Sequence, residues 1–171
     1  MKLNKLIYGS ILSLISYTAV ATYGVEFAYG DGTNNTHAYR FGIQRAWSLD
    51  NLTPNKRKIR GYWDASFTRV NCSLNHLEAY AIAPVLRIPF RVVLNWYVDL
   101  GIGISYVSNQ VIAARNLGSN WLFEDRAGVG TLLGGRQQYE IGYRFVHFSN
   151  AYTAQKNQSL NLHLLVLGYW F

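Results

Sequence analysis

Glu140-Ile141-Gly142-Tyr143-Arg144-Phe145-Val146-His147-Phe148-Ser149-Asn150 alternates with a strict period of two residues. One face carries Ile141, Tyr143, Phe145, His147 and Ser149; the other carries Glu140, Gly142, Arg144, Val146 and Phe148. In a water-soluble sheet the oily face would be core, and a His/Ser pair there would be costly to bury. In a barrel that crosses a membrane the assignment inverts, with the oily face toward lipid and the charged face filling the interior. The stretch therefore reads as a transmembrane strand with His147 and Ser149 on its lipid side.

The rest of the chain supports that reading. Its 171 residues include 13 Tyr, eight Phe and five Trp against three Pro and one Met, a bias toward strands and interfacial aromatic girdles. Lys2 and Lys5 precede an apolar run over 6–20, and Ala19-Val20-Ala21 has the small-x-small form of a signal peptidase site. The expected organisation is a cleaved signal peptide over 1–21 and a single barrel domain over 22–171. Beyond the signal no apolar run approaches the ~18 residues of a spanning helix, so closure of strands is the remaining way to cross hydrocarbon. A secreted β-sandwich also alternates, but Cys72 is the only cysteine and offers no disulfide. Leu165, Leu167, Tyr169 and Phe171, at period two, resemble the terminal signature of bacterial outer-membrane barrels.

Eight strand-like segments follow, over 23–31, 37–47, 58–70, 76–86, 92–105, 120–133, 137–149 and 160–171. The predicted fold is thus all-β, an eight-stranded antiparallel transmembrane β-barrel. An even count returns both chain ends to the periplasmic side and makes the loops over 108–119 and 150–159 outer ones. Interior parity falls on Arg40, Arg60, Asp64, Glu78, Asp99, Glu124, Arg126, Glu140 and Arg144, expected to pair as the filling of a narrow lumen. Trp47, Trp63, Trp96, Trp121 and Trp170 are expected as interface anchors.

A formal charge of +7 invites nucleic acid as a partner. The basic residues, however, are scattered or aligned with interior faces, and the run Lys56-Arg57-Lys58 with Arg60 sits at a strand start, where it suits lipopolysaccharide phosphates or solvent. No nucleic-acid partner is expected. His37, His76 and His163 do not fall into metal-ligand spacings, and no cysteine cluster exists, so neither metal nor other cofactor is expected.

Residues i and i+2 of a strand lie about 6.6 Å apart and project from one face. His147 can therefore take the proton that makes the Ser149 hydroxyl nucleophilic. A bare His-x-Ser is common by chance, and its surroundings make it specific. His147-Phe148-Ser149-Asn150-Ala151, then Asn157-Gln158-Ser159-Leu160-Asn161, resemble the signature of the PagL-type lipid A 3-O-deacylases. Gly61-Tyr62-Trp63-Asp64-Ala65, Asp99-Leu100-Gly101-Ile102-Gly103, Asn116-Leu117-Gly118-Ser119 and Phe123-Glu124-Asp125-Arg126 also resemble segments of that outer-membrane esterase family.

The resemblance implies a cofactor-free serine esterase that removes the 3-position acyl chain of lipid A, embedded in the lipids of the bacterial outer membrane with its active site near the outer leaflet. Lipopolysaccharide is the implied substrate partner, and homo-oligomerisation stays open. Position by position, Ser149 is the implied nucleophile and His147 the base, later the acid. Asn150, Ala151 and Asn157 are the candidate oxyanion and substrate-binding groups. Where the family pattern has a glutamate to orient the histidine, this chain has Asn161. An amide oxygen fixes the tautomer but carries no charge to stabilise imidazolium.

Asp125 is the alternative orienter. A turn near Gly134-Gly135-Arg136 would pair Phe123 with His147 and Asp125 with Phe145, leaving the aspartate diagonally reachable; a bulge would turn it inward instead. Two other functions stay open: a structural or adhesive barrel that has lost catalysis, and an acyltransferase that passes the chain to another lipid. The first leaves Ser149 unlabelled by a fluorophosphonate; the second yields acylated lipid in place of free fatty acid. For the organisation itself, the intact mass of protein purified from membranes should correspond to a chain beginning at Thr22, and a mass retaining 1–21 would refute the processing site.

Overall fold

The computed structural model describes residues 23–49, 59–73, 75–90 and 95–171. The expected signal peptide, the turn carrying Lys56-Arg57-Lys58 and the start of the fifth predicted strand lie outside the described residues. The strands are β1 (Tyr23–Gly32), β2 (Thr36–Leu49), β3 (Ile59–Asn71), β4 (His76–Pro89), β5 (Trp96–Val107), β6 (Val111–Ile112), β7 (Arg115–Asn116), β8 (Trp121–Leu133), β9 (Tyr139–Ser149) and β10 (Leu160–Trp170). Eight of them close a barrel in the order β1-β10-β9-β8-β5-β4-β3-β2, every neighbour antiparallel. The short β6–β7 hairpin, where irregular loop was expected, folds at one end.

Alternation decides which side of the wall each residue takes. Phe27, Phe41, Ile43, Trp63, Ile82, Ile102, Ile104, Tyr143, Leu165 and Leu167 project outward, while their chain neighbours fill the lumen. An exposed band of large apolar and aromatic side chains around a closed sheet is what contact with hydrocarbon requires. Trp63, Trp96 and Trp121 face outward as anticipated. Trp170 does not: its indole turns inward, donates to Glu140 at 2.6 Å and meets the Tyr62 ring edge-on.

Two further expectations are corrected. In β4 the faces are reversed: Leu77, Ala79, Ala81, Ala83 and Val85 fill the lumen, while Tyr80, Ile82 and Pro84 face out, because small apolar side chains suit a crowded interior as well as polar ones do. Glu78 consequently lies outside and pairs with Arg69 on β3 at 3.1 Å. Arg60 has interior parity but sits exposed at the strand's beginning.

The lumen is filled in layers. At the end carrying the long loops, Leu77, Val107, Ile112, Leu117, Leu122, Phe148, Leu160 and Leu162 form an apolar plug, closed over by the β6–β7 segment. Beneath it lies an ionic layer. Arg40 donates to Glu124 through both terminal nitrogens (3.1 and 3.0 Å) and to Asp64 at 3.0 Å; Arg126 pairs with Glu124 and Asp64, and Arg144 with Glu26. Glu26 joins this layer, although its parity drew no attention in the sequence. Toward the other end, Arg87 bridges Asp99 and Glu140 at 2.7 and 3.0 Å and stacks 3.7 Å above the Tyr97 ring.

Buried charges persist only when compensated, and removing one partner costs far more than the pair contributes. Arg40→Met should therefore lower the unfolding free energy by about 3–5 kcal/mol, because Glu124 and Asp64 lose a cation. The check is the denaturant midpoint of the heat-modifiable folded form in detergent micelles, and Glu124→Gln in the same chain should recover part of the loss.

Candidate active site

Four strands set a row of side chains on the outer wall. Adjacent antiparallel strands place His147 directly opposite Asn161 on β10 and directly opposite Asp125 on β8, with Ile102 of β5 next beyond the aspartate. The row thus reads Ile102, Asp125, His147, Asn161. The anticipated β8–β9 register is out by two residues: Phe123 opposes Ser149, and Asp125 faces His147 squarely. No bulge turns the aspartate inward, since Glu124 and Arg126 on either side of it both point into the lumen.

His147 Nδ1 lies 2.6 Å from Asn161 Oδ1. An amide oxygen only accepts, so Nδ1 carries the ring proton and the lone pair resides on Nε2. Asn161 is itself held from behind, its N–H donating to Thr33 Oγ1 at 3.0 Å and its carbonyl accepting from Thr33 N–H at 2.9 Å. Thr33, in the β1–β2 turn, is a support that sequence reasoning missed; nothing in a lone threonine 128 residues away signals it.

Ser149 ends β9 at only 9 % exposure. The chain then turns sharply: Ala151 and Tyr152 both adopt left-handed backbone, at φ 50° and 61°. Two successive non-glycine residues there are strained, typically by about 1–3 kcal/mol each. Asn150, fully buried, holds the turn. Its Nδ2 donates to Leu117 O (2.8 Å) and Lys156 O (2.6 Å), its N–H donates to Asn157 Oδ1 (2.9 Å), and its carbonyl accepts from Thr153.

These bonds divide the oxyanion candidates. Both amide hydrogens and the backbone N–H of Asn150 are engaged, so this residue builds the loop. Asn157 uses its oxygen toward Asn150, which leaves Nδ2 as its donor end, and the Ala151 N–H stands one residue past Asn150 in the strained turn. Gly118 sits beneath the same knot at φ 78°, where a Cβ would come within 1.9 Å of Lys156 O. Gln158 and Ser159 tie the loop to the β6–β7 hairpin through Asn116 and Arg115. Among the described residues no group of His, Cys, Asp and Glu is arranged to hold a metal ion.

The family model of lipid A 3-O-deacylase (PagL) matches residues 21–170. The chain belongs to this family. It is 28 % identical to the lipid A deacylase PagL of Pseudomonas aeruginosa, over 95 % of this chain and 96 % of that one. With the lipid A deacylase PagL of Bordetella bronchiseptica the identity is 30 %, over 100 % and 98 % of the two chains. A crystal structure of the outer membrane enzyme PagL superposes with a TM-score of 0.66 at 27 % identity, covering 85 % of this chain and 98 % of the other. The barrel is thus the PagL fold. Because Asn150 ties the Ser149 turn to two other loop segments of this PagL-family barrel, Asn150→Ala should cut lipid A deacylation at least tenfold. The heat-modifiable mobility of the barrel should stay unchanged in the same preparation.

Proposed function

We propose that this chain hydrolyses the ester-linked acyl chain at position 3 of lipid A, in the outer leaflet of the bacterial outer membrane, through an acyl-enzyme on Ser149. The observation that carries the reading is the His147–Asn161 hydrogen bond on the outward wall of a PagL-family barrel, which leaves a free lone pair on Nε2 of a histidine that shares its strand-face parity with Ser149.

In the first half-reaction the Ser149 Oγ–H proton passes to His147 Nε2 as Oγ bonds to the ester carbonyl carbon. Negative charge gathers on the carbonyl oxygen, and in this reading the Ala151 N–H and the Asn157 amide donate to it. Collapse breaks the bond to the sugar oxygen, which takes the proton back from His147. Water then repeats the sequence on the acyl-enzyme and releases the fatty acid.

The surrounding wall suits an acyl substrate. Opposite Ser149 stands Phe123, then Ile104 of β5 and Ile82 of β4, an unbroken apolar row across the outer face. Trp121, 64 % exposed and packed edge-on against Tyr106, flanks it. The anchored outer loops are the side from which the sugar headgroup would enter. Purified protein incubated with lipid A should release one 3-hydroxy fatty acid, seen by mass spectrometry. Ser149→Ala should abolish release, and fluorophosphonate labelling of Ser149 should vanish in His147→Ala. Acylated acceptor lipid without free fatty acid would instead establish a transferase.

A further inference from the structure

An ionised carboxylate on a lipid-facing wall is unfavourable unless something compensates it. Asp125 is such a group. It is half-buried on the outward face of β8, and its neighbours on that face are Phe123, Ala127 and Ile102, all apolar. The polar neighbour directly across the sheet is His147, at an opposed position where Cβ atoms typically lie about 4.5–5.5 Å apart. Every acid of the interior layer has an arginine partner, whereas Asp125 has no cation paired to it among the described residues. The group directly opposite it that can carry positive charge is the imidazole.

On the other flank, the hydrogen-bonding position on His147 Nδ1 is held by neutral Asn161. The two jobs that one carboxylate performs in a serine–histidine–acid triad, fixing the tautomer and stabilising the imidazolium, thus fall on two residues from two strands. Building on the hydrolase reading above, we propose that Asp125 is a positioning residue that supplies the negative charge for His147 through space, while Asn161 supplies the tautomer. Asp125 then acts only when His147 is protonated, between proton uptake from Ser149 and its delivery to the sugar oxygen. In that interval the imidazolium also balances the carboxylate in the apolar wall.

The test is a cycle of four proteins, wild type, Asp125→Asn, Asn161→Glu and the double variant, each assayed for 3-hydroxy fatty acid release from lipid A. Asn in place of Asp keeps size and shape, so heat-modifiable mobility should be unaltered. Asp125→Asn should lower kcat by about 10²-fold with little change in KM, and should move the acid limb of the kcat/KM profile to lower pH, since imidazolium loses its counter-charge. His163 is the other nearby imidazole on this face and is bound to Tyr143, so the limb is assigned by following the His147 ring in NMR titrations.

Asn161→Glu should restore most of the activity lost in Asp125→Asn, a larger gain than it gives in the wild-type background. Equal effects of Asn161→Glu in both backgrounds, or unchanged kcat in Asp125→Asn while Ser149→Ala is dead, would overturn the assignment and leave the hydrolase reading standing. Should wild type release no fatty acid, the hydrolase reading fails first. The His147 titration then decides the charge assignment separately, and an unshifted curve in Asp125→Asn overturns it.

Discussion

A strand in hydrocarbon has no water to satisfy its backbone, and each orphaned N–H or C=O costs several kcal/mol. The bonds that close β1 onto β10 answer this constraint, and the rest of the molecule depends on them. Closure divides the side chains into an outer set and an inner set with no residue between. It also fixes which strands are neighbours of β9, and with them the groups that can touch His147.

The two sets obey opposite rules. Inside, charge is tolerated because it is dense and balanced: Arg40, Arg126 and Arg144 interleave with Glu26, Asp64 and Glu124, with Gln44 and Tyr62 bridging the ends. Outside, the wall is apolar and aromatic across its middle, and several polar groups lie near the end closed by the long loops. There the Asp31–His37 and Arg69–Glu78 pairs and the Asp125–His147–Asn161 row break the apolar band. A lumen filled by interlocked ion pairs is a firm support for the side chains on its outer surface.

The strained Ser149–Tyr152 turn has its own support. Asn150 spends all its donors on neighbouring loop segments, and those segments are seated on the apolar plug through Ile112 and Leu117. Side chains on an untied loop would be loosely placed. Here the loop is tied to the barrel end, which offsets the cost of its left-handed residues.

The alternation of residues 140–150 alone settled that His147 and Ser149 share a lipid-facing surface, because a period of two leaves no other choice once the opposite face is charged. Eight strands, the outward aromatics and most of the interior charges were legible for the same reason. β4 was misread because alanine and valine serve the lumen as readily as the wall, so its pattern has no polarity to orient it. Register was beyond reach, since nothing local says how far one strand slides past another; two residues separate Asp125 opposite Phe145 from Asp125 opposite His147. Thr33 behind Asn161, and Asn150 as a loop clamp with no donor to spare, belong to contacts between segments distant in the chain. The sequence by itself determined which chemistry the outer wall carries, since residue type and parity are local. Only the tertiary structure decided which groups flank the histidine, since that depends on hydrogen-bonded register between strands.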